Sequence, residues 1–179
     1  MTKAQASEPG RAVGKTAHRA TPRRTVVAVG ALILLAGCEG EVPPPAPPPA
    51  EQPQRLPTAT IRVGDVPLEV EVADAEAERR KGMMFRTRLD PDEAMLFVFP
   101  REAGLAFHMR NCYVDLDLAY IAADGRIIDI ARMYAHRRQP VYSREPARFA
   151  LEVPAGWFAE HGITAGDRVT VPAAVAEAP

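Results

Sequence analysis

The segment Thr58-Ala59-Thr60-Ile61-Arg62-Val63-Gly64-Asp65-Val66-Pro67-Leu68-Glu69-Val70-Glu71-Val72-Ala73 decides the fold class. Its first half alternates, with Ile61 and Val63 on one face. Its second half puts Val66, Leu68, Val70 and Val72 on one face and Glu69 and Glu71 on the other. Successive strand side chains point to opposite sides, so a period of two marks a strand with one buried face. Gly64-Asp65 is a turn signal between the two runs. The pair is therefore expected to form a hairpin.

The same reading extends downstream. Asp74 is an N-cap candidate for a short helix over 75–81, stopped by Gly82. Residues 95–99 are a continuous apolar run ended by Pro100, as in a strand buried on both sides. Strands are predicted at 105–111, 114–122, 126–133, 148–153 and 168–171, with a turn at Asp124-Gly125 and a proline- and arginine-rich loop at 134–146. A second short helix is predicted at 155–161, stopped by Gly162. The expectation is a mainly β, compact single domain, a β sandwich or barrel-like fold with two short helices, over residues 58–173. Residues 174–179 form a tail.

Upstream, residues 42–57 are dense in proline. Such a run cannot join a helix or a central strand. In extended polyproline II it advances about 3.1 Å per residue, so residues 38–57 form a tether of up to roughly 60 Å. Before it, residues 1–24 are basic, residues 25–35 are apolar, and Leu35-Ala36-Gly37-Cys38 puts a cysteine behind small residues. The apolar stretch is well short of the roughly 20 residues that span a bilayer. Together these features predict a lipoprotein-type signal peptide over 1–37 and lipidation at Cys38. Arg23-Arg24 is compatible with a twin-arginine signal as well as with the general export route. The domain is thus expected in the cell envelope, lipid-anchored to the inner or outer membrane and facing the periplasm or the exterior.

Charge and cysteine content exclude several classes. The chain carries 22 Lys+Arg against 23 Asp+Glu, a net charge of −1. This balance argues against a nucleic-acid partner. Of the 2 cysteines, one is assigned to lipid, so Cys112 has no intrachain partner. No C-x-x-C or H-x-x-x-H spacing occurs, and no metal or cofactor is expected.

Four ordered blocks resemble a known family. Glu78-Arg79-Arg80-Lys81-Gly82-Met83-Met84-Phe85-Arg86, then Ala94-Met95-Leu96-Phe97-Val98-Phe99, then Phe107-His108-Met109-Arg110-Asn111 with Leu116-Asp117, then Leu151-Glu152-Val153-Pro154-Ala155-Gly156 are similar in order and spacing to the domain-of-unknown-function family 192. The resemblance covers residues 61–171. It implies a compact β-rich domain, often exported in bacteria, and no particular reaction. His108, Ala94 and Asp115 stand where the family usually has tryptophan, glycine and proline.

The polar residues inside these blocks are the candidate binding set: Arg86, His108, Arg110, Asn111, Asp117 and Glu152. At strand spacing His108 and Arg110 share a side. Asp115 and Asp117 would share a wet strand face, Cα atoms roughly 6.8 Å apart. A buried Asp117 would need Arg86 or Arg110 as partner, and Glu152 would need Arg86 or Arg79. Cys112 lies four strand positions from His108, too far for a nucleophile pair. Met83, Met84, Met95 and Met109 read as core filling. The leading expectation is a non-enzymatic envelope lipoprotein that binds a small ligand or an envelope protein. Alternatives are a cell-wall hydrolase using Asp117 or Glu152 with His108, and a structural accessory subunit of an envelope complex.

Overall fold

The computed structural model describes residues 51–177. The predicted export segment, Cys38 and the first part of the predicted tether lie outside the described residues.

The domain is mainly β. Seven strands form one curled sheet in the order β6-β5-β8-β3-β2-β1-β9. The hairpin predicted at its start is present: β1 (Thr58–Val63) and β2 (Val66–Ala73) run antiparallel, with Ile61 opposite Leu68 and Val63 opposite Val66. Gly64 takes φ 57 in the connecting turn, a conformation glycine adopts without a Cβ clash. The chain then crosses through α1 (Glu76–Lys81) to β3 (Ala94–Ala103), which lies parallel to β2. A parallel partner requires such a crossover. The other ladders are antiparallel: β3 with β8 (Ala147–Pro154), β8 with β5 (Leu116–Ile121), β5 with β6 (Ile127–Met133), and β1 with β9 (Val169–Thr170). A separate two-stranded ladder pairs β4 (Ala106–Phe107) with β7 (Val141–Tyr142).

The sheet buries both faces. Ile61, Val63, Leu68, Val70, Leu96, Leu151 and Val153 fill the first, under Trp157 and Phe158. These two aromatics belong to α2 (Trp157–Glu160). Met95, Phe97, Leu118, Tyr120 and Ala150 fill the second, under Met83, Leu105, Met109 and Cys112 from the connecting loops. Double-sided burial explains why the first half of β3 reads as a continuous apolar run rather than an alternating one.

Several predicted elements differ. Residues 108–115 are turns, not strand. Cys112 N–H donates to Met109 O at 3.2 Å, and Asn111 takes φ 58. Leu105, Met109 and Cys112, spaced by four and three, all reach the second core, a spacing that a period of two cannot satisfy. Ala75, not Asp74, occupies the N-cap of α1. The Glu78 carboxylate accepts from the N–H groups of Asp74 and Ala75 instead, which satisfies two of the helix's free donors. A third helix, α3 (Ala173–Ala176), lies where a tail was expected. The end of the proline-rich segment, including Gln54, contacts the domain. Val72 N–H donates to Pro57 O at 3.0 Å, Leu56 N–H to Glu71 Oε2 at 2.9 Å, and Gln54 Nε2 to Glu78 O at 2.9 Å.

Candidate functional site

The sheet register aligns one row on the second face: Glu71 of β2, Met95 of β3, Glu152 of β8 and Leu118 of β5. Two buried acids thus flank one methionine. Their surroundings differ.

At Glu71 the row is closed by Arg86, which is 2 % exposed. Its guanidinium donates to Glu71 Oε1 at 2.8 Å, to Glu93 Oε1 at 2.5 Å and to the Gln54 carbonyl at 3.1 Å. A buried arginine between two carboxylates is a charge-assisted clamp. It ties β2, the turn after α1, the approach to β3 and the tether end together. Arg86 was expected to pair with Asp117 or Glu152; it pairs with neither.

At Glu152 nothing closes the row. The side chain is 4 % exposed, and its Oε2 is sealed from solvent with no hydrogen-bond partner. Burial pushes its carboxyl up to about 8, partly opposed by the Arg86 charge. It is therefore largely protonated at neutral pH. The expected partners, Arg86 and Arg79, are both engaged elsewhere. Arg79 donates to the carbonyls of Asp74 and Val98 and lies over the Phe99 ring, 5.3 Å from its centroid.

Glu152 lines a cavity of about 690 Å³. One wall is α1 with the turn through Gly82, Met83, Met84 and Phe85. Gly82 takes φ 49, and a Cβ there would lie 3.2 Å from the Phe97 ring. A second wall is Phe97, Phe99 and Phe107. Phe97 and Phe107 meet edge to face with centroids 4.9 Å apart, and Phe107 also meets Tyr120 at 5.9 Å. The third wall is the turn carrying His108, Arg110, Asn111 and Cys112. Phe85 N–H donates to Asn111 O at 2.8 Å, joining two walls. Both residues have positive φ, 68 and 58. Asparagine tolerates this region, whereas a bulky residue such as Phe85 is strained there by about 1–3 kcal/mol. Strain of this kind concentrates at binding sites.

Of the six sequence candidates, the structure gathers His108, Arg110, Asn111 and Glu152 around this cavity and places Arg86 and Asp117 elsewhere. Asp117 lies opposite Val153 in the β5–β8 ladder, whereas Glu152 lies opposite Leu118. The two acids therefore point to opposite faces, so they cannot act as a catalytic pair. Asp117 pairs with Arg132 of β6, not with Arg86 or Arg110, and accepts from Gly156 N–H at 2.8 Å. Asp115 is exposed and accepts from Ala135 N–H at 2.8 Å, so the two aspartates do not share a wet face. Cys112 is buried in the cavity wall on a turn, which removes the strand spacing that separated it from His108. Its thiol is pushed up to about 12, first by burial and then by Glu152, so it is no nucleophile at neutral pH. His136 packs at a tilt against Tyr113, and His161 stacks on Trp157. Among the described residues no three His, Cys, Asp or Glu side chains form a metal cluster.

The phenylalanine wall was missed by the sequence reading. Its signal was present in Phe97-x-Phe99, which shares a face at strand period, but the continuous apolar run concealed it.

Comparison with known proteins accounts for the conserved order of these blocks. Residues 59–171 match the model of DUF192, described as an uncharacterized ACR family. The chain belongs to the DUF192 family. A UPF0127 protein of Thermococcus gammatolerans is 29 % identical over 104 residues, covering 56 % of this chain and 65 % of the relative. This chain thus spans just under two thirds of that relative's length. Two crystal structures share the fold. One, a candidate transcription regulator of Sinorhizobium meliloti 1021, matches with TM-score 0.62 and 32 % identity over 64 % of this chain and 93 % of that one. The other, a Novosphingobium aromaticivorans protein of unknown function, matches with TM-score 0.61 and 29 % identity over 71 % and 99 %. The four blocks supply Arg86, most of the cavity wall, and both Asp117 and Gly156.

Proposed function

We propose that this chain is a lipid-anchored envelope protein whose DUF192 domain binds a small ligand in the Glu152 cavity. The carrying observation is the buried Glu152 carboxyl, left without a partner at the wall of a preformed cavity. A buried polar group without a hydrogen bond costs about 1–3 kcal/mol. A ligand that supplies the missing bond recovers that cost. The cavity volume falls within the roughly 300–1,000 Å³ of small-molecule sites, and apolar walls with few polar groups are typical of them. Anchoring through Cys38 rests on the export segment and the small residues before the cysteine.

Both halves are testable. Crystals of the protein soaked in a mixture of small amides, acids, amines and sugars should show density against Glu152. Met84→Trp, which adds bulk to one wall, should abolish it. Density only outside the cavity would refute the site. Cells fed labelled fatty acid should label the wild-type chain and not Cys38→Ser; equal labelling would refute the anchor.

A further inference from the structure

We infer that the cavity takes a small organic acid: an apolar body lies against Phe97, Phe99 and Phe107, the anionic end meets Lys81 and Arg110 at the rim, and an amide or second carboxyl group pairs with Glu152. This rests on the cavity being a ligand site, and it names the chemical class that the site selects.

The first argument is complementarity at Glu152. The side chain is more than nine-tenths buried and Oε2 has no partner. A protonated carboxyl offers one donor and one acceptor side by side. A primary amide or a carboxylic acid presents the matching pair on one side, so both bonds form with no buried charge left over. An ammonium ligand would instead require Glu152 to ionise in its apolar surroundings.

The second argument is the charge around the opening, taken element by element. On α1, Arg80 is paired with Glu76 and Arg79 is held by two backbone carbonyls. Lys81 lines the cavity and, among the described residues, makes no ion pair. From the turn after β4, the Arg110 side chain also lines it without an ion pair, beside exposed His108. Behind Met95, Arg86 is neutralised by Glu71 and Glu93. Cys112 and Tyr120, which face Glu152, are held in their neutral forms by burial. The uncompensated charge at the mouth is therefore positive. It draws anions in and repels cations.

Calorimetric titration of the full chain with three matched probes tests this. They are N-carbamoyl-L-phenylalanine, whose terminal carboxamide presents N–H and C=O on one side, its methyl ester, and phenethylammonium. At pH 6.5 the acid should bind about tenfold more tightly than the ester, and the ammonium weakest of the three. Raising the pH to 9 should weaken the acid about tenfold, as Glu152 loses its donor and turns anionic. Glu152→Ala should lose most of the affinity, and Glu152→Gln should recover part of it with a flat pH profile. Lys81→Gln with Arg110→Gln should erase the preference for acid over ester. Tightest binding by the ammonium, or a pH fall that persists in Glu152→Gln, would overturn the inference. Equal binding of all three probes would overturn it while leaving the ligand site standing. Binding of none would overturn both.

Discussion

Arg86 and Glu152 are both buried and both lie in family-matching blocks, and Glu71, which Arg86 holds, shares a face of the sheet with Glu152. Arg86 has three partners and Glu152 has none. The first arrangement holds four segments together, and its one unbonded atom, Arg86 Nε, does not line the Glu152 cavity. The second keeps a polar group in reserve beside an open volume. Burial of charge alone therefore does not mark a binding site. A missing partner next to space does.

The sharpest test of that contrast is Arg86→Met. It leaves Glu71 and Glu93 with only the exposed Arg55, 3.7 and 3.2 Å away, as a cation, and should cost about 3 kcal/mol. Thermal unfolding should show Tm lowered by about 10 °C or more. Adding Glu71→Leu and Glu93→Leu should return most of the loss, because an apolar trio replaces the clamp. A small loss in the single variant would break the structural reading of Arg86.

Glu152→Gln should move stability the other way. The native carboxyl titrates near 8, above the 4.5 of the unfolded chain. Between those values the native state holds the extra proton, so wild-type stability falls as pH rises from about 4.5 to 8. Glutamine removes that fall. Urea midpoints should show the variant stabilised by about 3 kcal/mol at pH 8.5 and nearly unchanged at pH 4. Destabilisation at pH 8.5 would mean that the carboxylate has a partner after all.

Asp117 lies between the two extremes. It has a partner, but Arg132 is 42 % exposed at the side chain and so partly screened. Asp117→Asn keeps an acceptor for Gly156 N–H and should cost about 1–2 kcal/mol in urea unfolding. A loss as large as that of Arg86→Met would place Asp117 with the clamp.

The smallest effect concerns Cys112. Its thiol is held up to about 12 partly by Glu152. Iodoacetamide labelling of the native protein, followed by mass, should be very slow at pH 7.5 and rise only under strongly alkaline conditions. Glu152→Gln should shift that rise slightly toward neutral pH. No shift would separate Cys112 from the Glu152 cavity.

Much of the fold was legible. The alternation over residues 66–72 and the Gly64-Asp65 turn define the opening hairpin, because strand periodicity is a local property. The double-sided burial of β3 could be read from its unbroken apolar run. Residues 108–115 could not be read this way. Their side chains obey the second core rather than a period of two, and Asn111 adopts a backbone conformation that no pattern announces. Glu71 misled for a related reason. It alternates as a wet-face residue should, yet a loop brings Arg86 over it.

Composition and local pattern by themselves determined a mainly β domain behind a basic-then-apolar segment and a proline-rich run, and the resemblance of four blocks pointed to DUF192. Those properties depend on neighbours in the chain. Which acids are clamped and which stay open was decided only by tertiary structure. Glu71 and Glu152 are 81 positions apart in sequence, yet one strand of register separates them in the sheet. A charged group's state is set by what folding places within a few ångströms of it, not by its own residue type.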